Sequence, residues 1–306
     1  MPTFVLFLFL SPPHPIVVLL LPLLLTSLPE AAGHVRTHLL TAVTLATETA
    51  VAEHMNWNVF DFCNQFLQTA ALLQRATHEL CTRMACAHNV AVVEVRFCPA
   101  LHTLGGLTAD AAVAAVVAGF RQAQGELAVA CPGRDDLVLP LRGGVIVCAL
   151  RSHAEDEMLR MADLAAAWLG RGVIGFDVGD KCGRFVGFRL FTFPLSCACL
   201  PVEQIAGDEG AYPLSRCTAA IACAARHGVP VTVHAGEWLD STDNLRLALT
   251  ELPGITRIGH GVCLRGQPEL LALAAQKNVC LEVCLTSNVR AFLPFVLESL
   301  LRTRSK

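Results

Sequence analysis

The sequence contains few charged residues. They make up 16% of its 306 residues, whereas hydrophobic residues make up 54%. A chain of this length and composition can bury a large core, which excludes a disordered tail and a basic nucleic-acid-binding arm. The formal net charge of -3 gives no electrostatic reason to expect a polyanionic partner. We therefore expect no nucleic-acid partner, and nothing in the composition implies a protein partner.

Cysteine pairs of the C-x-x-C type are missing, although the chain contains 14 cysteines. Most of them lie singly within apolar runs, as Cys148 and Cys280 do. In such runs cysteine behaves as a small buried hydrophobic residue. The pattern favours a reducing compartment, and hence a cytoplasmic location, over a framework of disulfides.

Basic residues are absent from the start of the chain, since no Lys or Arg precedes Arg36. Residues 4–10 and 16–25 are almost wholly apolar, but prolines separate them. A secretory signal begins with basic residues, and a membrane span needs about 20 uninterrupted apolar residues. Residues 1–36 are thus predicted to form a separate apolar, proline-rich segment, either signal-like or non-native. A genuine signal at residues 4–25 would make the protein secreted or membrane-anchored.

From Thr37 onward, short apolar runs alternate with longer stretches rich in Ala and Leu. The runs are rich in Val and Ile, and they cover residues 90–97, 144–150, 173–178, 229–234, 256–259 and 279–283. Residues 109–124 and 155–169 are examples of stretches long enough for helices, and residues 60–84 suit another helical region. Strands that are apolar on both faces and separated by helices predict a parallel sheet covered on both sides.

The number of these units favours a barrel over an open sheet. Six strand–helix units are recognisable, which is most of a (β/α)8 TIM barrel. Periodicity alone does not separate the two architectures, so the open sheet stays an alternative. Residues 37–306 are predicted to form this single α/β domain.

One segment, residues 179–205, fits neither a helix nor a strand. It follows directly after a predicted strand, where a short loop is usual. It is apolar and contains four phenylalanines, for which a solvated loop has no use. We favour an inserted or unspliced stretch, and the alternative is a genuine surface insertion, which loops tolerate thermodynamically.

Polar side chains follow the predicted strands at their carboxyl ends. V-T-V-H-A-G-E at residues 231–237 places His234 at a strand end and Glu237 three residues further on. Catalytic groups of a barrel lie at this edge, where an imidazole can ligate zinc and a carboxylate can move protons. Taken alone, such a pair is more often made of hydrogen-bonded structural residues.

The next strand end strengthens the catalytic interpretation. R-I-G-H-G at residues 257–261 supplies His260 between two glycines, which allow a ligand or backbone to approach closely. The following strand ends in the polar cluster C-L-T-S-N at residues 284–288. Polar groups at three successive strand ends are unlikely by chance, so we predict that His234, Glu237 and His260 meet at one rim.

These motifs resemble those of the adenosine and AMP deaminase family. Three of them are similar to the motifs at the fifth, sixth and seventh strands of that family's barrel: V-T-V-H-A-G-E-W, R-I-G-H-G and L-E-V-C-L-T-S-N. V-E-V-R-F at residues 93–97 looks like the second strand, and V-C-A-L-R at residues 147–151 like the third. The resemblance runs from about residue 60 to residue 288.

The resemblance also bears on the segment at residues 179–205. The family's fourth strand continues directly into a loop similar to D-L-A-G-D-E. Here G-F-D-V at residues 175–178 is separated from A-G-D-E-G at residues 206–210. Joining residue 178 to residue 206 restores the family pattern, which supports an insertion.

The resemblance implies a barrel of the metal-dependent hydrolase type and zinc-dependent hydrolytic deamination of adenosine, a purine nucleoside, to inosine and ammonia. By this resemblance His234 is a zinc ligand and Glu237 hands a proton to N1 of the purine. His260 orients the water and helps to remove its proton, and the loop around Gly207 contacts the purine. The alternatives are an AMP or N6-substituted AMP deaminase and a non-catalytic remnant. The P-C-x-x-C motif of cytidine-type deaminases is absent.

The chain departs from the family at both ends. The H-x-H pair of the family's first strand, which supplies two zinc ligands, occurs nowhere, and Arg36 follows His34 where the second histidine belongs. The aspartate pair of the final strand is also missing, because no aspartate follows Asn288. The sequence thus predicts an incomplete barrel with about six of eight units. It predicts one zinc ion with most ligands missing, and no turnover of adenosine at ordinary enzyme rates.

Overall fold

The computed structural model describes a large central part of the chain, namely residues 64, 66–131, 134–179, 209, 212–237 and 241–284. The predicted N-terminal segment and Gly207 lie outside the described residues. Of the predicted insertion, only Gly179 is described, and it ends a strand instead of beginning a loop. The division of the chain at residues 1–36 and 179–205 therefore stays a prediction.

Strands and helices alternate along most of the described chain. The strands, numbered in chain order, are β1 (Val92–Phe97), β2 (Ala128–Cys131), β3 (Arg134–Pro140), β4 (Arg142–Leu150), β5 (Val173–Gly179), β6 (Val231–Ala235), β7 (Ile255–His260) and β8 (Cys280–Glu282). The α-helices are α1 (Ala70–His88), α2 (Ala109–Glu126), α3 (Glu155–Trp168), α4 (Thr218–Arg226), α5 (Thr242–Thr250) and α6 (Pro268–Gln276).

Six of these strands form one parallel sheet in the order β1-β4-β5-β6-β7-β8. In a flat sheet, spaced at about 4.8 Å per strand, the two outermost strands would lie about 24 Å apart. Instead, Arg96 Nη2 on β1 lies 2.8 Å from Glu282 Oε2 on β8. The sheet is therefore strongly curled, as in a partial (β/α)8 barrel, which confirms the predicted fold class and all six predicted strands.

Local capping determines where the first helices begin. Thr69 is extended at φ -129°, and its hydroxyl accepts a hydrogen bond from the backbone N–H of Leu72 at 3.3 Å. Thr108 caps α2 in the same way, accepting from the N–H of Ala111 at 3.1 Å. A side-chain oxygen at this position satisfies a donor that the first turn leaves unpaired. Helix α1 accordingly begins at Ala70, within the helical region predicted at residues 60–84, where residues 64 and 66 are helical as well.

The hairpin formed by β2 and β3 was not predicted from the sequence. The two strands pair antiparallel and form a separate two-stranded sheet. The short run A-V-A-C of β2 directly follows the Ala-rich helix α2 and has no strand-like alternation. For that reason the pattern did not separate it from the helix.

The core lies on both faces of the curled sheet, as expected for strands that are apolar throughout. Val147, Phe176, Val233 and Ile258 are fully buried. Nine cysteines of the described part of the chain are free thiols. None of the helices that the structure describes is long and apolar enough to cross a membrane.

Removing one methyl group at two positions of β7 tests this packing. Ile258→Val deletes a methyl from a fully buried side chain, so we expect the free energy of unfolding to fall by about 0.5–1.5 kcal/mol. Ile255→Val is the matched control, because Ile255 is only partly buried at the start of the same strand. Urea unfolding measures both, and an equal or larger loss in the control would contradict the described burial.

Candidate active site

His234, Glu237 and His260 are all buried at the carboxyl edge of the sheet. His260 Nε2 lies 3.6 Å from Glu237 Oε2. The rings of His234 and His260 meet edge to face, with centroids 5.4 Å apart and planes at 71°. The structure thus brings together the three side chains that the sequence placed at one rim.

Gly259 leaves space for the imidazole of His234 on the neighbouring strand. In the β6–β7 register His234 pairs with Gly259, and a Cβ at position 259 would lie 3.1 Å from His234 Cδ2. The glycine lets the imidazole lie against the neighbouring strand. His260 itself has a φ of +70°, which is uncommon for a residue other than glycine. Such strain persists only where surrounding contacts hold the backbone.

A partly buried arginine contacts His234, and sequence reasoning had not assigned it a role. Arg96 Nη1 on β1 lies 3.1 Å from His234 Nε2 and 3.1 Å from Asp177 Oδ2 on β5. Its Nη2 lies 2.8 Å from Glu282 Oε2. We call Arg96, Asp177, His234 and Glu282 the Arg96 cluster; its members come from four strands.

Burial and charge set the protonation states in this cluster. Burial alone would lower the pKa of Arg96, but Asp177 and Glu282 outweigh it and raise that pKa, so the guanidinium stays charged. Burial also opposes ionisation of Asp177, yet Arg96 and His234 bring its pKa down to about 2. Burial lowers the pKa of His234 by more than Asp177 raises it, so this imidazole is neutral at neutral pH.

The described residues fit half of a zinc site. His234 Nε2 and Asp177 Oδ2 lie 3.3 Å apart, close to the roughly 3.4 Å between two tetrahedral ligands with bonds of about 2.1 Å. Asp177 Oδ1 is buried and has no hydrogen-bond partner. A catalytic zinc takes three protein ligands, however, and a guanidinium cation lies against both of these donors. Within the described part of the chain, the residues do not fit a complete zinc site.

The turn that carries Glu237 is held by a second buried carboxylate. Glu209 Oε1 accepts from the backbone N–H of Gly236 at 2.9 Å, and Oε2 accepts from that of Glu237 at 3.0 Å. Asn244 Nδ2 donates to Glu209 Oε1 at 3.2 Å. Burial raises the pKa of Glu209, although Arg151 and these hydrogen bonds oppose the rise.

Arg151 links this turn to the strand that precedes it. The guanidinium is fully buried; it donates to the backbone carbonyl of His234 and lies 3.9 Å from Glu209 Oε1. It also donates to the carbonyl of Tyr212 at 3.3 Å. Arg151 and Glu209 therefore position the residues on both sides of Gly236.

A signal for the missed residues was present in the sequence. Asp177 interrupts the otherwise apolar β5, and Arg96 lies in β1 together with one other charged residue, Glu94. A charge within such a strand is normally paired or bound to a metal when it is buried. Glu209 lies in the A-G-D-E stretch, of which only Gly207 was singled out. What the sequence could not supply was the partner of each charge.

We expect Arg96→Met to lower the free energy of unfolding by about 3–5 kcal/mol at pH 7, because the buried carboxylates of Asp177 and Glu282 lose their nearest cation. Without this cation, the pKa of each carboxyl rises in the folded state. The loss of stability therefore grows with rising pH, and it shrinks toward pH 4, where protonation removes the negative charge of the carboxylates. Arg160→Met removes an exposed arginine from two carboxylates and should lower the free energy of unfolding far less, because water screens these exposed charges. Urea unfolding at both pH values measures this, and a pH-independent loss would contradict it.

Gly236→Ala tests the turn between His234 and Glu237. Gly236 has a φ of +71°, and an added Cβ would lie 2.6 Å from Cδ1 of the fully buried Leu245. Gly228 has the same φ of +71°, but its added Cβ meets nothing within 4 Å. We expect Gly228→Ala to cost about 1–2 kcal/mol for the left-handed backbone, and Gly236→Ala about 1–3 kcal/mol more for overpacking. Equal losses in urea unfolding would contradict the tight packing of this turn.

Solved structures share this fold. An adenine deaminase from Arthrobacter aurescens superposes with a TM-score of 0.56 at 20% identity, covering 79% of this chain and 63% of that one. An amidohydrolase from Burkholderia ambifaria with bound zinc gives the same TM-score and identity, over 79% of this chain and 60% of that one. The N6-methyl-AMP deaminase from Arabidopsis thaliana gives 0.55 at 19% identity, over 77% of this chain and 58% of that one.

Curated relatives are similar in sequence. The adenosine deaminase of Enterococcus faecalis is 33% identical over 229 residues, which is 75% of this chain and 55% of that protein. The adenosine deaminase of Vibrio atlanticus is 31% identical over 228 residues, 74% of this chain and 55% of that protein. The chain thus spans little more than half the length of these relatives. The sequence model of the family described as adenosine deaminase matches residues 26–191 and 202–293. On this match over most of its length, the chain belongs to the adenosine deaminase family.

Proposed function

We propose that this site serves the hydrolytic deamination of adenosine to inosine and ammonia. The observation that supports it is the contact of 3.6 Å between Glu237 Oε2 and His260 Nε2, beside His234 at the carboxyl edge of the sheet. This distance is long for a hydrogen bond, but catalytic hydrogen bonds tighten when substrate binds. Membership of the family and the names of the curated relatives favour adenosine as the purine.

The reaction demands an acid and a base on one side of the purine. Water adds its oxygen to C6 and loses one proton to a base, while an acid protonates N1. The 6-amino group then takes the second proton of the water and leaves as ammonia, and a carbonyl forms at C6. We assign the donation of a proton to N1 to Glu237. His260 orients the water and takes up its proton, and the loop around Gly207 is proposed to contact the purine.

We further propose that the family's zinc ion is the cofactor. A bound zinc ion lowers the pKa of water to about 7, which makes hydroxide available at neutral pH. His234 is the proposed ligand from this chain; it is buried and neutral, and Asp177 is the donor beside it. The other ligands would have to come from outside the described residues.

We expect Glu237→Gln to test the proposed acid. With zinc supplied, the chain should deaminate adenosine below about 1 s⁻¹, the low end of ordinary enzymes, because its ligand set is incomplete. Glu237→Gln should lower kcat/KM by about 10²–10⁴-fold, since the amide cannot donate an acidic proton. Loss of the adenosine absorbance measures both rates, and ammonia release verifies the product.

Glu251→Gln is the control, because Glu251 is exposed at the end of α5 and should leave the rate unchanged. A wild-type rate equal to that without protein would contradict the proposed activity and favour the non-catalytic remnant. A rate in the ordinary enzyme range would contradict the interpretation that the residues fit only half of a zinc site. Faster turnover of AMP or N6-methyl-AMP than of adenosine would move the assignment to that substrate.

A further inference from the structure

A second group of potential metal ligands lies away from the candidate active site. Asp163 on α3, Cys223 on α4 and His227, which follows α4, have ligand atoms that all lie within 4.8 Å of one another. Helices α3 and α4 are neighbours that pack against each other outside the sheet. The group therefore spans two helices of the outer layer.

Helical spacing places two of these ligands on one face. His227 follows Cys223 by four residues, and its backbone N–H donates to the Cys223 carbonyl at 3.3 Å, so the helical turn continues to His227. Residues at this spacing lie side by side on a helix. Asp163 completes the group from α3, where its Oδ1 accepts from the Cys223 thiol at 3.1 Å.

The distances require little change to hold a zinc ion. Two tetrahedral ligands with zinc bonds of about 2.1 and 2.3 Å lie about 3.6 Å apart. The carboxylate and imidazole, with two bonds of about 2.1 Å, would lie about 3.4 Å apart, so separations of no more than 4.8 Å would have to shorten by about 1.4 Å at most. Asp163 and His227 are exposed and free to adjust, whereas Cys223 is 5% exposed and held in the packed interface.

The donor set also indicates which ion would bind. A thiolate, an imidazole and a carboxylate together suit Zn²⁺, whereas Mg²⁺ and Ca²⁺ take oxygen ligands. Burial and the Asp163 carboxylate raise the pKa of the Cys223 thiol, and Arg226 opposes this rise. Where a thiol donates a hydrogen bond to a carboxylate, a divalent cation can take the place of the thiol proton. The cation releases this proton and binds both groups.

We propose that Asp163, Cys223 and His227 form a Zn²⁺ site that joins α3 to α4, with one coordination position open to water. The end of α4 leads within four residues into the start of β6 at Val231, so the site lies toward the amino-terminal edge of the sheet. In barrel folds that edge contributes to stability, whereas catalysis lies at the opposite edge. The ion holds two outer helices together and takes no part in deamination.

Cobalt titration of the full chain tests the site. Co²⁺ bound to a thiolate gives a charge-transfer absorption that oxygen and nitrogen ligands do not give. We expect one Co²⁺ per chain to produce this band, and Zn²⁺ to remove it by competition. Cys223→Ser should abolish the band, and Asp163→Asn and His227→Ala should each weaken the affinity by at least about tenfold. Zn²⁺ should also raise the Tm of the wild type but not that of Cys223→Ser.

Controls come from the same chain. Cys86→Ser and His88→Ala alter an exposed cysteine and histidine at the end of α1 and should change neither the band nor the affinity. His234→Ala should leave the band intact, which separates this site from the candidate active site. Absence of the band in the wild type would overturn the proposal. So would survival of the band in Cys223→Ser, or an equal weakening of the Co²⁺ affinity in the Cys86 and His88 variants.

Discussion

The curled sheet and the candidate active site both depend on the ion pairs of the Arg96 guanidinium. It contacts Asp177 on β5, His234 on β6 and Glu282 on β8 from its own place on β1. The two carboxylates are fully buried, and an unpaired buried charge costs several kcal/mol. The cluster is stable only if the two ends of the sheet approach each other, so charge pairing and the curl of the sheet require each other.

The Arg96 guanidinium also restricts how a metal ion could bind at His234. His234 Nε2 lies within hydrogen-bond distance of Arg96 Nη1, and Asp177 Oδ2 faces the same guanidinium. A zinc ion that bound both atoms would have to displace Arg96, because two cations cannot share these donors at contact distance. Glu282, at 2.8 Å from the other nitrogen, would give the displaced guanidinium a partner. Metal binding at this edge would therefore exchange one cation for another.

The sequence predicted what depends on local pattern and missed what depends on curvature. The six strands were predictable because Val- and Ile-rich runs alternate with helical stretches, and the meeting of His234, Glu237 and His260 was predictable because parallel strands end at one edge. The hairpin β2–β3 was missed because A-V-A-C resembles the helix before it. The partners of Arg96 lie on strands 81, 138 and 186 residues along the chain, and no local pattern joins them.

The carboxyl edge concentrates features that cost stability, and other contacts must offset them. His260 holds a left-handed backbone at φ +70°, and three charged or titratable groups of the Arg96 cluster are almost fully buried. Glu209 compensates by accepting two backbone N–H groups of the turn after β6, where a rigid carboxylate replaces the hydrogen bonds of a regular strand. Strain and buried charge that survive in this way are typical of functional sites and not of packing alone.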